Sequence, residues 1–207
     1  MSINGLIKRF HMDERGITGL ETAIILIAFV VVASVFAYTV LSAGIFSAEK
    51  GKEAIHSGLE TAQSSMTING PVLARDTDAD NEIEEIVFVV SNALDGVPIN
   101  LITTTDADSD GLLSDEATRN HVLVVTYMDN TQRITDITWT KTAIGKGDGD
   151  DMLEGGEKFE INVDLTGLTT ALVKNQSFTL ELKPEKGSVM VIERKTPAVI
   201  DAVMDLR

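Results

Sequence analysis

The sequence predicts an α+β fold in which a long hydrophobic N-terminal helix precedes an all-β antiparallel sandwich. An apolar run without any charged residue covers residues 23–46. From Met66 onward, short β-branched or alternating segments are separated by turns rich in Asp, Gly and Asn, with no long helical pattern between them. This succession argues against a parallel α/β domain, and the roughly 140 residues that follow the helix suffice for one sandwich core.

The apolar run is long enough to cross a membrane. It has about 24 residues, and a helix rising 1.5 Å per residue needs about 20 to span a hydrocarbon layer of ~30 Å. A charged leader ending at Glu14-Arg15-Gly16 precedes the run, whereas an ordinary secretory signal is cut after its apolar stretch. We therefore expect the helix to stay on the mature chain.

Helical periodicity continues beyond the apolar run. Past Gly51, apolar residues recur at helical spacing opposite a charged face, so the helix is predicted to reach about Ser65. Small residues four apart would let two such helices approach closely. These pairs are Ala33 and Ala37, Ala43 and Ser47, and Ser47 and Gly51. The predicted division of the chain is a cleaved leader at 1–16, the helix and its stem at 17–65, and the sandwich at 66–207.

Six segments have the composition and alternation of strands. Met128–Thr131 is predicted to form a hairpin turn between two of them. The tail at 197–207 fits either a last strand or a short helix covering the sandwich, and the residues do not decide between the two. The predicted strands cover residues 83–90, 121–127, 134–140, 159–165, 177–182 and 188–194.

Three stretches near the N-terminus carry a family resemblance. They are residues 15–24 (Arg-Gly-Ile-Thr-Gly-Leu-Glu-Thr-Ala-Ile), 27–33 (Ile-Ala-Phe-Val-Val-Val-Ala) and 41–44 (Leu-Ser-Ala-Gly). Together they resemble the N-terminus of archaellins, the subunits of the archaeal swimming filament, which are type IV pilin-like precursors.

The resemblance implies an immunoglobulin-like sandwich and cleavage by a prepilin-type leader peptidase between Gly16 and Ile17. It further implies a precursor in the cytoplasmic membrane that leaves it for an extracellular filament, the archaellum. There the chain would polymerise with itself and with paralogous archaellins, apolar helices in the core and sandwiches in the shell. Motor and platform membrane proteins of the archaellum would be its other partners.

Two other functions remain open on the residues alone. An archaeal type IV adhesion pilin would share the processing and the helical core but would serve attachment. A single-span surface protein with a binding or enzymatic ectodomain would never polymerise and would keep its leader uncut.

Glu21 is a candidate assembly residue because a carboxylate in an apolar helix costs about 2.5–3.5 kcal/mol on insertion and therefore needs a partner. Cleavage after Gly16 creates an ammonium group at Ile17, which is charged at neutral pH. We hypothesise that the Ile17 ammonium pairs with Glu21 of a neighbouring subunit and sets the register between helices. Such a buried pair specifies geometry more than it stabilises. The alternative is a solvated Glu21 near the membrane surface.

The charge balance excludes nucleic acid as a partner. The whole chain carries a net charge of -15; the leader holds three basic and two acidic residues, so its removal leaves -16. Nucleic-acid binding needs a basic footprint instead. The chain has no cysteine, so disulfides cannot stabilise it outside the cell.

An acidic loop resembles the first half of a calcium site. Carboxylates alternate along residues 106–110 before Gly111, which permits a sharp turn. Position 12 of the loop is Ala117, so a complete EF-hand is not expected. No cofactor is required for the predicted function, but Ca²⁺ or a similar hard cation is a candidate ligand, against a merely solvated acidic turn. The candidate ligands are Asp106, Asp108, Asp110, Leu112 and Glu116.

Two weaker acidic candidates lie at residues 76–82 and 148–157. Each has several carboxylates at short intervals, but the spacing matches a calcium loop less well. Either could hold an ion or remain a solvated loop.

Asn175-Gln176-Ser177 is an N-glycosylation sequon. Because archaellins are often N-glycosylated, the resemblance makes Asn175 a candidate attachment site.

No catalytic residue is predicted. The histidines at 11, 56 and 121 lack metal-ligand spacing, and the sequence has no nucleophile elbow, phosphate loop or cysteine nucleophile. The histidines are therefore interpreted as surface or packing residues.

Overall fold

The computed structural model describes residues 4–94 and 96–206, and within that range it describes side chains from Thr18 onward. The chain forms two compact units, Met1–Ile55 and His56–Arg207. One helix and eleven strands are found in the described range. The strands are β1 (Met66–Arg75), β2 (Glu85–Asn92), β3 (Ile99–Asn100), β4 (Val124–Asp129), β5 (Arg133–Thr135), β6 (Trp139–Ile144), β7 (Met152–Leu153), β8 (Lys158–Asp164), β9 (Ser177–Lys183), β10 (Met190–Lys195) and β11 (Val203–Leu206).

Helix α1 covers Asn4–Gln63, a length of 60 residues. The sequence before Pro71 contains no proline, so nothing interrupts the helical hydrogen bonds. Hydroxyl groups in the apolar part donate to carbonyls one turn earlier, as Ser34 Oγ does to the Val30 carbonyl at 2.6 Å. The predicted end near Ser65 is two residues late. The predicted cleavage bond between Gly16 and Ile17 lies within helical backbone, where side chains are outside the described residues.

The strands form an antiparallel sandwich, as predicted. One sheet has five strands in the order β11-β1-β2-β8-β6, and the other has four in the order β10-β9-β4-β5. A small third sheet pairs β3 with β7. The core between the sheets contains Trp139, Tyr127, Phe88 and Phe178, all fully buried. The rings of Tyr127 and Phe178 stack with centroids 6.1 Å apart, which favours their mutual packing.

The prediction of one strand over residues 134–140 is wrong. Two strands occupy this region, β5 in the four-stranded sheet and β6 in the five-stranded sheet. Asp136 between them has a positive φ of 65°, and Ile137 forms an isolated bridge with Leu112. The left-handed residue turns the chain from one layer to the other, although apolar residues continue on both sides of it.

The first strand was not predicted. Asn69-Gly70-Pro71 resembles a turn, but it forms a bulge inside β1, with a register shift between Ile68 and Val72. Gly70 accommodates it with a φ of 120°. The tail contains a strand, since Val203–Leu206 pairs with Val72–Arg75 along the edge of the five-stranded sheet.

The predicted hairpin turn after β4 is confirmed, and Asp129 holds it closed. Asp129 Oδ1 accepts the backbone N–H groups of Thr131 at 2.6 Å and Gln132 at 2.9 Å. Burial alone would raise the pKa of Asp129, but hydrogen bonds from Thr131 and Gln132 outweigh it and lower the pKa from 3.8 to about 2.

We predict that Asp129→Asn destabilises the sandwich by about 1–2 kcal/mol at pH 7, since a pKa unit is worth about 1.4 kcal/mol and solvent screening reduces the full value. Because the folded pKa is lowered, this contribution is complete above pH 4 and is lost as the pH falls through about 2. Urea unfolding at pH 7 and at about pH 2, followed by the fluorescence of Trp139, measures the difference in the free energy of unfolding between the parent chain and the variant. Asp201→Asn, at an exposed position, is the control; equal losses in both variants would contradict the prediction.

Candidate functional site

The most unusual surface of the chain is the apolar part of α1. Its large side chains are exposed on every side of the helix, with Phe29 at 72%, Phe36 at 70% and Leu41 at 64% of full exposure. Thr18–Gln63 is long and apolar enough to cross a membrane. A helix that is hydrophobic all round needs lipid or other helices around it.

Glu21 is exposed on this helix. Within the described side chains it makes no hydrogen bond or ion pair with another residue, which leaves its carboxylate available to a second chain. Ile17 lies outside the described side chains, and the Ile17–Glu21 pairing stays a prediction.

A second feature, which was not predicted, is a set of hydrogen bonds between the last turn of α1 with the two residues after it and distant loops of the sandwich. Lys186 Nζ donates to Glu60 Oε1 at 2.7 Å, and Ser188 Oγ donates to Ser65 Oγ at 2.9 Å. The Ala93 N–H donates to the Ser65 carbonyl at 2.8 Å. These residues are far apart in sequence. The local signal for their contact is Gly187, in the loop between β9 and β10, because glycine permits a close approach of two backbones.

The candidate cation ligands of the loop at 106–116 do not form one ring. Oxygens of Asp106, Asp108 and Glu116 lie within 4.8 Å of one another, whereas Asp110 groups with Asp108 and Asp115. The Leu112 N–H donates to Asp110 Oδ1 at 2.8 Å. The structure thus divides the predicted set into two overlapping groups.

Asp106 organises this loop. Its carboxylate accepts the N–H groups of Ser109 at 2.6 Å and Gly111 at 2.9 Å, and the hydroxyl of Thr138 at 3.0 Å. Although burial would raise the pKa of Asp106, the hydrogen bonds from Gly111, Thr138 and Ser109 lower it below its usual value. The loop is therefore held in shape by its own hydrogen bonds, and cation binding stays a prediction.

The weaker acidic loops differ from each other. Asp76, Asp78 and Asp80 converge with Glu84, which lies beyond the predicted range. Burial and the charges of Asp78 and Asp76 raise the pKa of Glu84, although the Thr77 N–H lowers it. Among the described residues, the carboxylates at 148–157 form no comparable group.

If the loop at 106–116 binds calcium, Ca²⁺ at 100 times its dissociation constant should stabilise the sandwich by about 2.7 kcal/mol. The corresponding rise in Tm is about 5–10 °C for a chain of this size. Asp108→Asn should remove the rise, because Asp108 belongs to both groups, and it leaves in place the hydrogen bonds that Asp106 accepts from Ser109, Gly111 and Thr138. Asp201→Asn should keep it. Thermal unfolding without any response to Ca²⁺ would rule out the site.

The sequon residue Asn175 is exposed, in a turn before β9. Its backbone has a φ of 60°, and its N–H donates to the Pro197 carbonyl at 3.1 Å. The side chain is thus accessible to a modifying enzyme, and glycosylation there stays a prediction.

His121 is a packing residue. The Thr104 hydroxyl accepts the N–H groups of Asn120 and His121, so its own hydrogen donates to His121 Nδ1 at 2.8 Å. The other ring nitrogen then donates to Asp136 Oδ1 at 2.9 Å. Both nitrogens are satisfied inside the domain, which leaves neither for catalysis or a metal.

The sequence matches the archaeal-type flagellin family model over residues 16–194. A probable flagellin 1 of Archaeoglobus fulgidus is 36% identical over 208 residues, which cover 96% of this chain and 98% of that protein. A probable flagellin 1 of Aeropyrum pernix is 33% identical, with 89% of this chain and 93% of that protein covered.

Solved structures show the same fold. A chain of the archaeal flagellum of Methanospirillum hungatei superposes with a TM-score of 0.62 at 23% identity, covering 91% of this chain and 98% of its own. An archaeal flagellin of Methanocaldococcus jannaschii gives a TM-score of 0.53 at 12% identity, covering 68% and 95%. The adhesion-pilin alternative is not favoured by these matches. The chain belongs to the archaeal-type flagellin family, and it is a structural filament subunit rather than an enzyme.

Proposed function

We propose that this subunit is cut between Gly16 and Ile17, leaves the cytoplasmic membrane and polymerises through α1 into an extracellular motility filament, with the sandwich in the outer shell. The observation that carries the proposal is the apolar surface of α1, which is exposed on all sides. The likeness to flagellins, including a chain from an archaeal flagellum, supports the filament as the place where this surface is covered. A leader peptidase and the motor and platform proteins of the archaellum would be its further partners.

The area of this surface is sufficient to hold subunits together in water, although in lipid, where the surface is already covered, apolar burial gives helices little drive to associate. Between Leu20 and Phe46, 16 large apolar residues are more than half exposed, and each contributes about 1.5–3 kcal/mol when fully removed from water. Association costs about 4–15 kcal/mol in lost freedom of motion. Even partial burial against neighbouring helices therefore exceeds the cost of joining, and the same surface is stable in lipid before assembly.

Two glycines support close helix packing. A Cβ placed on Gly44 or Gly51 would meet no atom within 4 Å, so the chain itself does not require glycine there. Glycine inside a helix costs about 0.5–1 kcal/mol relative to alanine. Close approach of a second helix would account for that cost.

Cleavage would create a partner for Glu21. In the filament core, a carboxylate without a counter-charge would be strongly unfavourable, whereas the new ammonium group of Ile17 on a neighbouring chain would neutralise it. A peptidase needs an unwound backbone at the bond that it cuts. Gly16 and Gly19 would lower the free-energy cost of this unwinding.

The first test is the N-terminus of the chain in sheared surface filaments, determined by peptide mass spectrometry. We expect a terminus at Ile17 in the filament fraction and loss of swimming in a deletion strain. An uncut chain found only in membranes would contradict both processing and polymerisation. Loss of attachment with swimming retained would instead indicate an adhesion filament.

Glu21→Gln tests the pairing. We expect normal cleavage but at least a tenfold loss of filament mass, because the Ile17 ammonium would be buried without its counter-charge. Glu49→Gln, an exposed position on the same helix, is the control and should assemble normally. Normal filaments in the Glu21 variant would contradict the hypothesis that the Ile17–Glu21 pair sets the register between helices.

A further inference from the structure

The chain passes from about half exposure in the last turns of α1 to burial just after the helix ends at Gln63. Leu59 is 52% exposed, whereas Ser64 is 1% and Met66 is 7% exposed. The Ser64 hydroxyl is buried without any hydrogen-bond partner among the described residues. Water is therefore excluded from Ser64, whereas Lys186 and Ser188 around it stay exposed.

Two loops close around this end, and they come from different sheets. On the side of the five-stranded sheet, the loop after β2 supplies the Ala93 N–H to the Ser65 carbonyl, and Gly96 packs so closely that a Cβ there would lie 2.6 Å from Gln63 Cβ. On the side of the four-stranded sheet, the loop between β9 and β10 supplies Lys186, Gly187 and Ser188. We refer to Glu60–Ser65 with these two loops as the helix joint.

Gly187 lies at the tightest point of the helix joint. A Cβ on it would overlap the carbonyl oxygen of Ser64, and its φ of 111° is one that other residues rarely adopt. Next to it, the hydrogen bond and charge of Lys186 lower the pKa of Glu60, so the pair is ionised over the whole neutral range.

We infer that the helix joint is a mechanical coupling which fixes the last turn of α1 to both sheets, so that this turn and the sandwich move as one body. The inference rests on the proposed filament function, and it places a source of the filament's stiffness in the helix joint. A hinge would have the opposite construction, with few contacts, exposed backbone and room to move. Here steric contact, one backbone hydrogen bond, one hydrogen bond between serine hydroxyls and an exposed ion pair act from two directions.

Filaments assembled from processed chains that carry Gly187→Ala test this inference. We expect the Ala93 amide to exchange its hydrogen at least 100-fold faster than in the parent filament, because the added methyl group displaces Ser64 and opens the bond to Ser65. We also expect the persistence length of the filament, measured by electron microscopy, to fall at least twofold. Gly156→Ala is the matched control, since Gly156 also has a positive φ, of 86°, but no atom near its missing Cβ.

A charge swap avoids the folding risk of the glycine variant. Lys186→Glu should soften the filament, and Glu60→Lys in the same chain should restore its stiffness. Lys50→Met, which removes an exposed ion pair with Glu53 elsewhere on the helix, should have no effect. Two results would overturn the coupling. One is a filament that keeps its stiffness although the Ala93 amide has lost its protection from hydrogen exchange. The other is unchanged hydrogen exchange at Ala93 in Gly187→Ala. Neither result would affect polymerisation itself, which the terminus at Ile17 tests separately.

Discussion

Filaments should be absent from cells in which Phe36 is replaced by Asp. Phe36 is 70% exposed in the single chain and lies in the middle of the apolar surface that the filament core covers. The substitution forgoes about 2–3 kcal/mol of apolar burial. It also buries a carboxylate at a cost of at least 2.5–3.5 kcal/mol, and this loss recurs in every subunit of the polymer.

The matched control is Val199→Asp. Val199 is similarly exposed, at 67%, but belongs to the sandwich, so this variant should assemble normally. Electron microscopy of the cell surface gives the filament number, and immunoblots of membranes show whether the precursor still accumulates. A normal filament number in the Phe36 variant would mean that this part of α1 is not in the core.

A large loss of domain stability should come from Gly111→Ala. A Cβ at Gly111 would lie 2.5 Å from the Cα of Gly167, and the φ of Gly111 is 84°. The left-handed backbone costs about 1–2 kcal/mol for a residue with a side chain, and overpacking adds about 1–3 kcal/mol. We expect the free energy of unfolding to fall by about 2–5 kcal/mol.

Gly149→Ala separates the two causes, because Gly149 has a φ of 91° and no atom within 4 Å of its missing Cβ. It should lose only about 1–2 kcal/mol. Trp139, the single tryptophan of the chain, is fully buried and reports unfolding in urea. A loss in Gly111→Ala no larger than in the control would show that the neighbouring loop can move aside.

The elements that could be predicted are those whose pattern is local. The apolar run near the N-terminus has no other physical explanation than a helix covered by lipid or by copies of itself, and strands such as β8 and β9 alternate cleanly between buried and half-buried residues. Where the alternation of apolar and polar residues continues across the junction of two strands, as at Asp136, the pattern cannot show which sheet each half enters. Tertiary pairing decides that.

The same limit applies to the site. Sequence placed Glu21 on the apolar helix because a charge in such a run stands out. It could not find the helix joint, since Glu60 and Lys186 are 126 residues apart and neither is unusual in its own surroundings. The cation loop shows an intermediate case: its carboxylates were identified, but their division into two groups depends on how Asp106 folds the backbone around itself.

The pairing of the first and last strands determines when the sandwich can fold. β1 follows directly after the helix, and one of its two neighbours is β11, so that Val72 pairs with Leu206. During synthesis the helix emerges first and can enter lipid, while the edge of β1 stays open until more than 120 further residues have been made. Such long-range closure is slow and leaves an unpaired strand edge exposed to other chains. A chain held in the membrane by its helix would present this open edge next to those of its neighbours, so β11 must pair with β1 before neighbouring chains do.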